Sequence, residues 1–373
     1  MKVVMIACVE PQSNRPSGIA TYVENILKGL VGRGIEATLV GCGDTEKADV
    51  PYSFISVSKD TDISSAGFLA RLVSQAASLG IPQHAVIHAH KPDDAIPFLL
   101  SCRANPKIVT LHGSHARNVL QNWGQLVGSA YGLAERYSLR RSDRVVSVSE
   151  ANERLYVGRY PWLREKLIFV PQGVDTEVFT PIDMAKARDS FGFPTDEPIV
   201  LFAGRFEKEK RLGLLIDSFR ELSSLKPKAR LVLVGKGREE EAIKSLVARN
   251  GIENVIFRGP VSRREMPLLL SCADIFTLLS THEGLPLAAL EAMSCGIPVV
   301  ATPVGDLSVL VQDGVTGRLV SDLNPKSIAK LMREVIDDRS AYSNGCRLAA
   351  LERDWDVVVR KMVKIYEEVH AGS

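Results

Sequence analysis

The sequence has no paired-cysteine spacing. Its six cysteines, Cys8, Cys42, Cys102, Cys272, Cys295 and Cys346, are scattered, with no CxxC and no Cys/His ligand spacing. That suits a reducing compartment and argues against structural zinc. No run approaches the ~18 apolar residues that a membrane span needs. The apolar opening, residues 1–9, is too short for a secretory leader and is expected to be a first strand. Net charge is small: 46 Lys and Arg against 44 Asp and Glu give +2, so general electrostatics do not point to nucleic acid. There is no GxGxxG after the first strand, where VEPQSNRPSG stands instead. That weighs against a nicotinamide-dependent oxidoreductase. No low-complexity segment and no internal repeat beyond a β/α rhythm is present. These absences lead to the expectation of a cytoplasmic protein, with peripheral contact at the inner membrane surface left open.

What is present is the alternation of an α/β chain. With 373 residues, 45% hydrophobic and 24% charged, the chain is long enough for two ordinary domains. VVMIACV, EATLVG, AVIHA, KIVTL, RVVSVS and KLIFV read as buried strands separated by helical stretches. Residues 19–31 form one such stretch, with Ile19, Val23, Ile26, Leu27 and Leu30 on one face and Gly32 and Gly34 at its end. A second cycle opens near residue 198 with PIVLFAG, ARLVLVG, NVIFRG, DIFTLLS and PVVAT. Short apolar strands between amphipathic helices imply parallel sheets covered on both faces. The turn-rich residues 171–196, with Pro171, Gly173, Pro181, Gly192 and Pro194, read as a hinge. The expected domains are 1–178 and 179–354, each doubly wound, followed by a long amphipathic helix over 355–373.

The most informative segment is residues 280–300, STHEGLPLAALEAMSCGIPVV. Two acids, Glu283 and Glu291, stand eight apart, the first before a turn and the second inside a short apolar helix. Glu291 lies between Leu290 and Ala292 and has no basic partner three or four positions away, unlike an ordinary surface charge. Upstream, FAGRFEKEKR puts Gly204 at a strand end, with Arg205 and Lys210 after it. Two such cations can clamp a diphosphate; the bland alternative is a solvated run of mixed charge.

Together these pieces resemble the G-R-x4-K and E-x7-E signatures of the family 4 glycosyltransferases, retaining enzymes of the two-domain GT-B fold. The resemblance implies an α/β architecture of two Rossmann-like domains facing a central cleft. It implies that the last helix, 355–373, returns to the first domain, and that the second domain binds a nucleoside-diphosphate sugar. Arg205 and Lys210 would stabilise the leaving diphosphate in place of a metal, so no cofactor is expected. Glu283 would face the hexose, and Glu291 would accept the ribose hydroxyls. The amides of Gly284, Leu285 and Leu287 would meet phosphate or sugar. Pro286 stands where the family's commonest form has glycine, which removes one donor. Val261 in FRGPV would place its backbone near the base, and the side chain says little about which base.

In the first domain, Gly18 opens a helix after a loop that the family uses to approach the donor phosphate; Ser17 also suits a plain helix cap. His112, ending VTLHGSH as an exposed strand-terminal residue, matches the family's histidine near the sugar. His115 and His282 are less well placed. VSVSE at 146–150 and VPQGVD at 170–175 also resemble family elements. VGKGREEE at 234–241 is a poor dinucleotide fingerprint. Asp60 and Asp62 read as a surface pair and not as a metal site. Between residues 117 and 144, Arg136, Arg140, Arg141 and Arg144 stand among Trp123, Tyr131 and Tyr137. That patch reads either as a solvated helix end or as a surface for a lipid-linked or anionic acceptor. The expected reaction is retaining transfer of a hexosyl group to an acceptor hydroxyl. A nucleotide-sugar epimerase or phosphorylase of the same fold is the nearer alternative. A non-catalytic sugar binder is disfavoured by the retained Arg205, Lys210, Glu283 and Glu291.

Overall fold

The structure, a computed structural model, describes residues 1–12, 17–113, 115–283 and 286–372; the side chains of residues 47 and 115–123 are not described. It divides into two compact units, Met1–Gly173 with Trp355–Ser373, and Val174–Asp354.

The first unit runs β1 (Lys2–Ile6), α1 (Gly18–Val31), β2 (Glu36–Cys42), β3 (Ser53–Ser58), α2 (Ser65–Gln75), β4 (Val86–Ala89) and α3 (Pro92–Ser101). It continues with β5 (Lys107–Leu111), α4 (His115–Arg141), β6 (Arg144–Ser147), α5 (Glu150–Arg159) and β7 (Leu167–Phe169). The seven strands lie in the order β3-β2-β1-β4-β5-β6-β7, and every pairing is parallel. Strands β4 and β5 are buried throughout, as central parallel strands covered on both faces must be. Strand order reverses between β1 and β4, which makes that crevice the switch point of the sheet.

The second unit contains α6 (Met184–Phe191), β8 (Ile199–Ala203), α7 (Leu212–Leu225), β9 (Arg230–Val234), α8 (Glu240–Arg249), β10 (Val255–Gly259) and α9 (Met266–Ser271). It goes on through β11 (Ile275–Leu278), α10 (Leu287–Ser294), β12 (Val299–Ala301), α11 (Leu307–Leu310), β13 (Gly317–Leu319), α12 (Pro325–Asp337) and α13 (Arg339–Leu351). Its sheet has the order β10-β9-β8-β11-β12-β13, again all parallel. The reversal here falls between β8 and β11. The last helix, α14 (Trp355–Ala371), belongs to the first unit and packs on α1 and β4. Gly29 and Gly173 admit it: a Cβ on either would come within 2.5 Å of Val359 or Trp355.

Three features depart from the sequence patterns. β3 was not expected; three of its six residues are serine and its burial is partial, as suits an edge strand. β13 has only three residues, too few to show a period. The stretch read as a hinge contains α6, capped by the Asp183 side chain and closed by Gly192 at φ 67°. The Arg188 side chain, 2% exposed, anchors that helix. It donates to the Cys272 carbonyl at 3.0 Å, to that of Thr195 at 2.7 Å and to Asp274 Oδ2 at 2.8 Å. Asp274 in turn accepts from the Ile199 amide at 2.6 Å, so one buried cation ties α6 to the starts of β8 and β11.

Candidate functional site in the strand-end loops

In the second unit, the loops leaving β8 and β11 meet at the switch point. A short turn over Lys208–Lys210 folds the first loop back, and the Thr281 amide donates to the Glu209 carbonyl at 2.7 Å. That bond brings Lys210 to Glu283: Nζ lies 2.7 Å from Oε1. The Ser280 hydroxyl donates to the same oxygen at 2.6 Å. Ser280 is itself held, its carbonyl accepting from Thr302 Oγ1 at 2.7 Å. On the far side Gly305, at φ 54°, lies against the Glu283 backbone, and a Cβ there would come within 2.0 Å of the Glu283 carbonyl oxygen. Glu283 is therefore a buried carboxylate, 8% exposed, set among the described residues by the Lys210 ammonium, the Ser280 hydroxyl and the close backbone of Gly305.

Arg205 sits on the other limb of the same loop and is exposed. Its backbone is clamped from β9: Gly204 N–H donates to the Val234 carbonyl and Phe206 N–H to the Lys236 carbonyl, each at 3.0 Å. A Cβ on Gly235 would come within 2.0 Å of the Gly204 carbonyl oxygen, and one on Gly237 within 2.3 Å of that of Phe206. The two glycines of VGKG are no dinucleotide fingerprint; they let two strand-end loops lie in backbone contact. Sequence reasoning missed that role, because the signal is a close approach and not a motif. The Gly235 amide continues the chain of bonds to the Gly259 carbonyl at 2.9 Å, next to the turn that carries the half-buried Val261.

Glu291 lies in α10 and is partly buried. Burial pushes its carboxyl up to about 7, against the pull of the Arg263 guanidinium. The helix opens at Leu287, and its N-cap residue, Pro286, makes no side-chain hydrogen bond. Amide donors of the first turn are thus not taken by a cap. Gly284 and Leu285, two of the expected amide donors, lie outside the described residues.

In the first unit Gly18 opens α1, and the Ser17 side chain caps it by accepting from the Ala20 amide at 3.1 Å. His112 follows the end of β5 and is half-buried, which corrects the expectation of an exposed residue. The cause is an aromatic cluster. His112 Nε2 lies 2.9 Å from His90 Nδ1, and the Tyr22 ring stands edge-on to His90, His112 and Trp355. His88 behind them lies 2.7 Å from the Tyr366 hydroxyl and 2.6 Å from Thr110 Oγ1. Burial holds its imidazole down to about 3. Burial, with His88 and His112 adding to it, also keeps His90 well below the usual range. Neither His88 nor His90 was singled out from the sequence, and neither was Asp94, which is 1% exposed. The Asp94 oxygens have no hydrogen-bond partner among the described residues. Burial and the adjacent Asp93 push its carboxyl well above the usual carboxylate range.

The basic patch is placed elsewhere. α4 leaves the C-terminal end of β5 and finishes just before Arg144 opens β6. Arg136, Arg140 and Arg141, all exposed, therefore lie toward the strand-starting end of the sheet, away from His112. Asp60 and Asp62 are exposed. Among the described residues no group of three or more His, Cys, Asp or Glu is arranged to hold a metal.

A family model described as Glycosyltransferase Family 4 matches residues 16–178, and one described as Glycosyl transferases group 1 matches residues 183–350. The D-inositol 3-phosphate glycosyltransferase of Geodermatophilus obscurus is 31% identical over 282 residues, 70% of this chain and 63% of that protein. Its namesake from Mycolicibacterium smegmatis is 27% identical over 386 residues, 96% and 87% of the two chains. The matched stretch spans only 63%, 54% and 59% of the namesakes from G. obscurus, Acidothermus cellulolyticus and Streptomyces avermitilis. Among solved structures, sucrose-phosphate synthase from Thermosynechococcus elongatus superposes with a TM-score of 0.81 at 23% identity over 100% of both chains. HepE from Anabaena, in complex with UDP and glucose, gives 0.74 at 20% identity over 99% and 100%. Those two likenesses bear on the fold alone. The two family models lie end to end across the chain, one over each half, and both describe glycosyltransferases; with the doubly wound units and their switch-point loops, they place this chain among the family 4 glycosyltransferases of the GT-B fold.

Proposed function

We propose that the protein transfers a hexosyl group from a nucleoside-diphosphate sugar to an acceptor hydroxyl, with retention at the anomeric carbon and without a metal. The observation that carries this reading is the Lys210–Glu283 pair, held between two strand-end loops at the switch point of the second unit. An ammonium has three donors, so Lys210 can hold Glu283 and still offer protons to a diphosphate. Arg205 adds a planar fork on the same loop, and the first turn of α10 adds amide dipoles. Glu283 would steady the positive charge that develops on the sugar as the diphosphate leaves. Retention needs no protein nucleophile if the departing phosphate takes the acceptor proton on the same face. Glu291 would accept the ribose hydroxyls.

The relatives' name, D-inositol 3-phosphate glycosyltransferase, makes a phosphorylated cyclitol one acceptor to try, and the HepE complex makes UDP the first nucleotide to try. A lipid-linked acceptor remains the other class to test. Thermal unfolding with UDP, GDP, ADP and NAD at equal concentration tests the donor half. A ligand at 100 times its dissociation constant adds ~2.7 kcal/mol. A shift with one nucleoside diphosphate and none with NAD supports the reading; a shift with NAD alone overturns it. Product analysis by NMR then separates transfer from epimerisation or phosphorolysis.

A further inference from the structure

The outer face of α4 leaves large apolar side chains exposed to water. Beyond the break at Gly124, where φ is 81°, the helix turns Glu135 and Ser138 inward beside Leu139, and all three are buried. Glu135 is satisfied there by the Tyr156 hydroxyl at 2.9 Å and by Arg159 at 3.4 Å. The opposite face carries Leu126 at 89% exposure, Leu133 at 69% and Tyr137 at 40%. At 3.6 residues per turn these three fall within about 40° of one another. Leu100, 58% exposed, continues the apolar stripe from the tip of α3, which packs on α4. A surface helix normally keeps its apolar residues for the core, and a rimmed apolar patch marks an interaction site.

The rim is cationic. Arg140 and Arg141 flank the stripe on its two sides, and Arg136 stands next to Arg140. Arg141 lies over the Tyr137 ring, and Arg140 and Lys166 both lie over the ring of Trp162. A groove of about 380 Å³ beside the stripe is lined by Leu99, Leu100, Arg103, Lys107, Tyr137 and Arg141. The acids of this region are fewer than its cations. Glu135 points inward and pairs with Arg159, and Asp143, two residues beyond Arg141, is the acid nearest the rim, its carboxylate accepting from the Lys107 amide at 2.7 Å.

We propose that this face of α4, with the tip of α3, docks on a bilayer surface rich in anionic phospholipid. Leucine and tyrosine side chains would enter the headgroup boundary while the arginines meet phosphates, as in interfacial amphipathic helices. A second copy of the chain fits less well, because a two-fold contact through this stripe would set arginines against arginines. The docking does not depend on the transfer reading.

Flotation with phosphatidylcholine vesicles, with and without phosphatidylglycerol, tests the proposal. The intact chain should float with the anionic vesicles, not with phosphatidylcholine alone, and should be released by salt. Leu126→Ser with Leu133→Ser, and separately Arg136→Ser with Arg140→Ser and Arg141→Ser, should each cut the floating fraction about tenfold or more. Leu225→Ser, on α7 in the second unit, should float unchanged. Hydrogen exchange on the unaltered chain guards against misfolded variants: vesicles should slow exchange over residues 124–141. The proposal is overturned if the intact chain stays at the bottom with both vesicles, if the variants float like the parent, or if the leucine changes merely dissolve a dimer that never floats. Nucleotide-induced stabilisation of the same variants should persist, so a failed docking experiment and a failed donor reading give different results.

Discussion

Lys210 and Glu283 stand 73 positions apart in the chain and 2.7 Å apart in space. Their side chains are 16% and 8% exposed, so each is the other's main charge partner in a largely dry setting. Lys210→Ala leaves a buried carboxylate whose remaining side-chain partner among the described residues is Ser280, and Glu283→Ala leaves a half-buried ammonium. Each should cost at most about 3 kcal/mol of stability. Under the proposed mechanism each should also lower transfer by orders of magnitude while the fold survives. Calorimetry together with a turnover assay checks both, and near-normal turnover in either variant would remove the pair from the chemistry. The double variant should lose far less than the sum of the singles, since the two residues act as a unit.

Arg205 differs because its side chain is exposed and its fixed part is the backbone. Arg205→Ala should leave unfolding within about 0.5 kcal/mol of the parent. Affinity for the nucleoside diphosphate that binds should fall by about 10- to 100-fold, the value of one charge-assisted contact. Titration calorimetry reads it directly, and an unchanged dissociation constant would place the diphosphate elsewhere.

Gly305 separates positioning from bulk stability. A Cβ at this position meets the Glu283 carbonyl oxygen at 2.0 Å, whereas at Gly314, φ 79°, nothing lies within 4 Å. Both Gly→Ala changes carry a left-handed backbone strain of about 1–3 kcal/mol. Only Gly305→Ala should also displace Glu283 and lower the turnover number. Equal turnover in the two alanine variants would show that Glu283 tolerates the shift.

The Glu291 carboxyl, pushed up to about 7 by burial, gives a pH signature of defined sign. Its ionisation is easier in the unfolded chain, near the ordinary value of 4.5. Between about 4.5 and 7 the folded state therefore holds the extra proton, and this group's contribution to stability declines as pH rises through that window, then levels off. Glu291→Gln should flatten that decline. Ribose hydroxyls are better accepted by the ionised form, so nucleotide affinity should rise between about pH 6 and pH 8 in the parent. The rise should vanish in the glutamine variant, after the nucleotide's own phosphate titration is common to both.

The sequence by itself determined the class of fold and most of the strand positions, because buried parallel strands are continuous apolar runs and the helices between them keep a 3.6-residue period. It also singled out Arg205, Lys210, Glu283 and Glu291, because their spacing resembles the G-R-x4-K and E-x7-E signatures of the family 4 glycosyltransferases. Edge strand β3 escaped, because its serines face partly to water. Only the tertiary structure decided what the named residues do to one another. It turned Lys210 toward Glu283, gave Gly235 and Gly305 their purpose as points of backbone contact, set His112 against Tyr22 and His90, and moved the arginines of α4 to the far end of the sheet. Each of these is a relation between segments far apart in the chain. Local pattern carries the preference of a segment for helix or strand, but distance, burial and pairing arise only when the strand order brings the loop ends together.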